Sequence, residues 1–185
     1  MRAQGKVHWL SLFLSKLTDT VKLVGSTIHC QPTPYMSEET GDFDIRSNPH
    51  VQSYAMATDR IGLQVLMESP KIFACHAEIW DTMYHAEVGS SRAILKAGYN
   101  LDSLLVRYQG VDWRKTETWN CNRNMDPLMP RAFDGGSPEA MEVMFVKIRE
   151  FQDSLQYKVA STEAAQNYDR WYRTRLKVRS FAYPV

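Results

Sequence analysis

The chain has 185 residues, 44% hydrophobic and 23% charged, which is the size and composition of one globular domain with material for a sizeable core. Its 22 Lys and Arg nearly balance 21 Asp and Glu, leaving a formal charge of +1, so the long-range field of a nucleic-acid or polyanion binder is not expected. Three cysteines, Cys30, Cys75 and Cys121, cannot all pair with one another and form no C-x-x-C motif; they read as buried free thiols, with neither a disulfide framework nor a zinc site indicated.

The N-terminus begins basic, but Lys16 interrupts a short apolar run and no small-residue cleavage site follows, so no secretory signal is read there. No stretch approaches the roughly 18–20 uncharged residues of a membrane span. Trp9, Leu10, Phe13, Leu14 and Leu17 recur at helical spacing over residues 8–17. Val21 to Ile28 reads as a short buried strand. Residues 30–49 carry three prolines, several acidic and small residues and no periodicity, which predicts a long loop.

Residues 50–58 suit a strand, and a helix follows from Asp59, whose carboxylate is placed to cap the first turn. Residues 72–84 are expected to be helical. Val88, Ser91, Ile94 and Leu95 then line one face of a helix that Gly98 stops, and Leu104, Leu105 and Val106 form a buried strand. Helix, glycine stop and strand within 25 residues is the grammar of an α/β layer. Residues 111–137 look irregular, 142–148 read as a last strand, and 149–179 as a polar helix.

Several residues are candidates for chemistry. Glu87 sits where the helix containing Val88 should begin, and a helix dipole there favours the ionised carboxylate. Facing a cleft, such a group can take a proton from an attacking alcohol; the competing reading is a helix cap or an ion pair with Arg92. His50 and Gln52 start the expected strand, either reaching an acceptor hydroxyl or closing a polar strand end. Asp112 and Trp113 suit sugar contact, the indole face on C–H groups and the carboxylate on hydroxyls, unless Trp113 is a core plug. Asp42-Phe43-Asp44 is a D-x-D triplet within the expected loop, either a divalent-metal site or solvated loop.

The segment AEVGSSRAILKAGYNLD, with an acidic residue, a Ser/Arg turn and an Ala-Gly-Tyr stop before a strand, resembles an element of GT-A glycosyltransferases. With His50–Ser53, Ala97–Asn100 and Tyr108–Trp113 it looks like the rhamnan synthesis F family and its plant and algal putative glycosyltransferase relatives, over roughly residues 9–148. The resemblance implies an α/β fold in which residues 1–148 form the acceptor-side part of a GT-A-like domain and 149–185 a helical extension. It implies transfer of a sugar from a nucleotide sugar to a glycan or other hydroxyl acceptor. Glu87 would be the base, His50, Gln52, Asp112 and Trp113 the acceptor contacts, and Mn²⁺ or Mg²⁺ the companion of the diphosphate. The alternative is a non-catalytic carbohydrate-binding or scaffold module derived from such an enzyme.

The chain departs from that family at its start, opening at what resembles the middle of the domain. Either the donor half lies upstream or this is a shortened relative without activity. His76-Ala77-Glu78 and His85-Ala86-Glu87 match half of the zinc deaminase signature, but no P-C-x-x-C completes it. No H-E-x-x-H, G-x-S-x-G, Walker A or G-x-G-x-x-G motif occurs. Tyr168, Trp171 and Tyr172 with Arg170, Arg173, Arg175, Lys177 and Arg179 make a basic-aromatic helix, suited to a membrane surface, a partner or an acidic glycan, or simply to packing on the domain. The sequence assigns no compartment; as part of a longer protein the chain would be cytoplasmic or Golgi-associated.

Overall fold

A computed structural model describes residues 8–36, 43–129, 132–133, 135–136, 138, 140–146 and 167–175. Its content is mixed α and β, with two small sheets. The first has the order β4-β1-β5: β1 (Val21–Gly25) runs antiparallel to β4 (Met56–Thr58) and parallel to β5 (Asn100–Ser103). The second is a hairpin of β2 (Ile28–Met36) and β3 (Phe43–Val51).

The hairpin replaces the loop expected over residues 30–49. Its pairs alternate: the Gln52 N–H donates to the Thr27 carbonyl (3.2 Å), so the register puts 29↔50, 31↔48 and 33↔46 in the hydrogen-bonded set. Pro32, Pro34 and Pro49 all fall in the other set, 30↔49, 32↔47 and 34↔45, where backbone nitrogens point away from the partner strand. Proline has no N–H to lose there, and a two-stranded sheet is all edge. Counting prolines suggests a loop; their parity permits a ladder.

Helix α1 (Trp9–Leu14) buries only Phe13, which packs with Trp9 and Phe145, ring centroids 6.3 and 6.2 Å away. Leu10 and Leu14 stay exposed, so the apolar stripe is narrower than its sequence spacing suggests. Helix α2 (Arg60–Met67) starts as expected, with Asp59 Oδ1 accepting from the Gly62 N–H at 2.8 Å. Gly62 lets this helix approach β1 closely, because a Cβ there would come within 2.4 Å of the Lys22 carbonyl oxygen. The other Asp59 oxygen takes the Nζ of Lys22 at 2.7 Å, and the same ammonium donates to the Thr18 carbonyl (2.8 Å). A lysine only 3% exposed is thereby paired and hydrogen-bonded.

The next helix is continuous but changes winding: α3 (Ile79–Asp81), a π segment (Thr82–Val88), then α4 (Gly89–Lys96). Residues 72–78 are not helical, so the expected helix starts later. Ala97 ends α4 and Gly98 follows with φ of 84°, the left-handed stop expected of it. The strand after it comes earlier than the apolar run Leu104–Val106. β1 has only five residues, so the ladder ends at Gly25↔Ser103, and Leu104 N–H makes the next bond, to the Gly25 carbonyl. Leu104 and Leu105 are buried beyond the strand, whereas Val106 is exposed.

Residues 142–148 are not a strand: α5 (Ala140–Val143) ends the segment's helix, Met144 adopts a φ of 61°, and 147–148 lie outside the described residues. Of the expected C-terminal helix, 167–175 is helical, with Arg175 over the Trp171 ring (5.3 Å) and Arg173 paired to Asp169. Lys177 and Arg179 lie outside the description. No helix among the described residues is long and apolar enough to cross a membrane.

The cysteine reading needs correction. Cys30 and Cys121 are disulfide-bonded across 91 residues, and Cys75 is exposed and free. The pair is invisible as spacing because its halves meet only once β2 and the irregular segment after Trp119 pack together. Replacing both Cys30 and Cys121 by Ala should lower unfolding stability by about 2–4 kcal/mol, measured by urea titration. Adding reductant should destabilise the parent equally and leave the variant unmoved.

Lys22 and Asp59 give a second test. Burial opposes the charge on Asp59, but the Gly62 N–H and the Lys22 ammonium outweigh it and hold the carboxyl below its usual range. A depressed folded-state value stabilises above the unfolded value of about 3.9 and is lost as pH falls through the folded value. Asp59→Asn keeps a capping oxygen but removes the charge. It should cost about 1–3 kcal/mol at neutral pH and flatten the loss of melting temperature seen in the parent below about pH 4.

Candidate functional site

The 79–96 helix closes the outer edge of β3. Val51 and Ser53 both point their N–H groups away from β2, by the parity that the prolines share. The Ser91 hydroxyl accepts from the Val51 N–H at 2.9 Å, and Glu87 Oε1 accepts from the Ser53 N–H at 3.1 Å. Four residues on an α-helix rise about 6 Å and two residues on a strand about 6.8 Å, so Glu87 and Ser91 match two successive outward N–H groups. The helix serves as a side-chain ladder for a strand that has no further strand neighbour on that side among the described residues.

This corrects the position of Glu87. It lies inside a continuous helix, at the end of the π segment, and not in an opening turn, so no helix N-terminus acts on it. Arg92 turns instead to the Tyr84 hydroxyl and the Asn48 amide oxygen, both 3.3 Å away, and lies over the Tyr84 ring. The Ser53 bond is the only hydrogen bond to the Glu87 side chain among the described residues. One carboxylate oxygen is fixed by the strand and the other carries no protein donor among those residues. The half-buried carboxylate is thus positioned by the strand end. π segments inside α-helices recur at functional sites, because the inserted residue redirects the side chains beside it.

Next to Ser53, Gln52 is 1% exposed. Its Oε1 accepts from the Thr27 hydroxyl, and its Nε2 donates to both Asp126 oxygens at 3.3 Å. Asp126, itself buried, also accepts from the Leu128 N–H at 2.9 Å. His50 is 2% exposed, its Nδ1 donating to the Asn48 carbonyl (2.9 Å) and its ring 5.3 Å from that of His29, its cross-strand partner. Gln52 and His50 therefore build the wall behind Glu87 and do not present themselves to an acceptor.

Trp113 is also a core residue, 1% exposed and edge-on to Tyr108 (5.2 Å), so its indole offers no face to a sugar. Burial pushes the Tyr108 hydroxyl up to about 12. Asn100 stitches this corner to β5, donating to the Val111 carbonyl and accepting from the Trp113 N–H. Asp112 faces outward, but Arg114 grips both of its oxygens, Nε at 2.7 Å and Nη2 at 2.9 Å, and that fork holds the carboxyl below its usual range. The metal expectation cannot be placed: Asp42 and the side chain of Asp44 lie outside the described residues, although the Asp44 backbone pairs with Tyr35 in the hairpin. Among the described residues no three of His, Cys, Asp and Glu converge as a metal site.

A cleft lined in part by this helix was not legible in advance. It holds about 220 Å³ and is lined by Asn48, Pro49, Val88, Arg92, Leu95, Lys96, Arg114 and Trp119. Trp119, and not Trp113, brings an indole to a cavity wall, its Nε1 donating to the Trp113 carbonyl at 2.8 Å. Val88 and Arg92 come from the helix that carries Glu87, Asn48 and Pro49 from the strand that ends beside it. The available signal was two tryptophans in one irregular stretch. Which of them plugs the core depends on Asn100, a long-range partner.

Comparison of the chain with known protein families, with curated proteins and with solved structures found no match.

The ladder generates a test. Ser91→Ala orphans the buried Val51 N–H and should cost about 1–3 kcal/mol. Glu87→Gln keeps an acceptor for the Ser53 N–H and should change stability by less than about 0.5 kcal/mol. Chemical denaturation of both variants checks the pair.

Proposed function

We propose that this chain is the acceptor-side part of a GT-A-like, sugar-transferring domain, resembling the rhamnan synthesis F family, with Glu87 as its base. The observation that carries the reading is the Glu87 carboxylate, anchored through one oxygen and keeping the other unengaged by the described residues, on the helix whose Val88 and Arg92 line a cleft that Trp119 also lines. In an inverting transfer the acceptor oxygen bonds to the anomeric carbon while the bond from that carbon to the diphosphate oxygen breaks. The diphosphate leaves with the electron pair and the acceptor's proton passes to Glu87. Trp119 supplies the apolar face for the acceptor sugar, and Asn48 and Arg92 the polar groups that orient it. His50 and Gln52 act from behind, by fixing the strand end against which Glu87 rests. The nucleotide sugar, and the Mn²⁺ or Mg²⁺ that accompanies its diphosphate, belong to the proposal through the resemblance alone.

The Cys30–Cys121 disulfide favours the Golgi-associated arm of the expected compartments over the cytoplasmic one, because such bonds persist where the surroundings are oxidising. A non-catalytic carbohydrate-binding module is the second reading. It is favoured by the Trp119 cleft taken by itself, which needs no base.

Turnover separates the two. The chain, expressed together with the donor-binding segment that this reading places outside it, is incubated with UDP-, GDP- and dTDP-sugars, Mn²⁺ and oligosaccharide acceptors, and released nucleotide diphosphate is measured. A transferase should release it, and Glu87→Gln should slow that release by about 10²–10⁴-fold with an unchanged melting temperature. Saturable oligosaccharide binding without diphosphate release, indifferent to Glu87→Gln, would assign the chain to the binding module instead.

A further inference from the structure

A second and larger cavity, about 570 Å³, lies along the segment that the disulfide anchors, and its described lining is Arg107, Asn120, Asn122, Arg123, Met125, Ala132 and Gly135. This is within the usual volume of a small-molecule site. It shares a rib with the Trp119 cleft, since Trp119 lines one and Asn120 the other. The Ser47 hydroxyl of β3 ties that rib down, 3.1 Å from the amide oxygens of both Asn120 and Asn124.

The backbone around this cavity is unusual. Asn122, Arg123 and Asn124 adopt φ of 49°, 54° and 59°, three consecutive non-glycine residues in the left-handed region directly after Cys121. Asparagine tolerates that region; arginine does so at a cost, so something must over-determine the turn. What holds it is visible: the disulfide at Cys121, the Ser47 hydroxyl, and the Asn122 amide, which donates to the Met125 carbonyl at 2.9 Å. The turn presents the exposed Arg123 side chain to the cavity, where Arg107 is seated over the Phe133 ring at 4.2 Å. Two arginines and two asparagines in one lining suit a small oxyanion that also carries hydroxyl groups, since arginine forks match carboxylate and phosphate geometry.

We infer that this cavity binds an anionic sugar, a sugar acid or a sugar phosphate, through Arg107 and Arg123. That the ligand is an oxyanion rests on the lining alone; that it is a sugar rests on the proposed transferase reading. Asp126 connects the two places, since it follows Met125 of the cavity wall and accepts from Gln52, the neighbour of the Ser53 that holds Glu87.

Isothermal titration of the purified chain with glucuronate, glucose 1-phosphate, glucose and inorganic phosphate tests the inference. Saturable binding of either anionic sugar is expected, weaker at higher salt and absent with glucose. Arg123→Gln and Arg107→Gln should each weaken it by roughly tenfold or more. Both side chains are exposed, so the variants should fold, and an unchanged melting temperature verifies this. Glu87→Gln should bind as the parent does. The inference is overturned if neither anionic sugar binds, if inorganic phosphate alone does, if glucose binds equally well, or if both arginine variants bind like the parent. Binding that survives while diphosphate release is absent even with the donor-binding segment present sinks the transferase reading and leaves this site standing.

Discussion

The Cys30–Cys121 bond is the constraint on which the segment lining both clefts depends. One end is a fully buried residue of β2, part of the main apolar cluster with Ile28, Val51, Ile94, Leu105 and Trp113. The other opens a stretch with almost no regular structure, in which short 3₁₀ turns supply few bonds of their own. A segment of that kind gains little from backbone pairing and would be the first to open. Cross-linking it to a core strand converts a surface loop into a wall. The Ser47 contacts with Asn120 and Asn124 and the Gln52–Asp126 pair then fall into place over the next few residues of each chain segment.

The edge of β3 imposes the second constraint. A two-stranded hairpin whose base is buried must dispose of outward N–H groups without a third strand, and an unpaired buried donor costs on the order of 1–3 kcal/mol. The helix solves this with side chains, Ser91 at the buried position and Glu87 at the exposed one. Glu87 therefore has a structural use that would exist without any catalysis. Its two oxygens separate the roles: a hydroxyl like that of Ser91 would satisfy the strand equally well, whereas only a carboxylate satisfies it and keeps a basic oxygen.

What was legible in the sequence was local. Asp59 as a cap, the helix it starts and the Gly98 stop each depend on a few neighbouring residues, and all three formed where expected. The hairpin was missed because proline content was weighed and proline parity was not, and parity has meaning only once a partner strand is assumed. The strand after Gly98 was placed too late because apolar runs report burial, and Leu104 and Leu105 are buried outside the ladder. Trp113 and Trp119 were interchangeable by local criteria. Asn100, eleven and thirteen residues from its partners Val111 and Trp113, decides which goes inward. Glu87 was singled out as the opening residue of a helix, whereas its setting depends on a strand end 34 residues away.

Charge makes the last connection. With 22 basic and 21 acidic residues the protein has a formal net charge of only +1. A net charge near zero nevertheless says nothing about separation of charge over short distances. Arg92, Lys96 and Arg114 gather at one cleft and Arg107 and Arg123 at the other. At physiological salt a charge is felt over about 8 Å, roughly the width of a small-molecule site. Within that range a guanidinium acts almost in full, and beyond it the surrounding acids cancel it. On the proposed reading of the larger cavity, a compact anion would meet the charge of Arg107 and Arg123 there, whereas a long polyanion lying across the surface would meet a nearly neutral average.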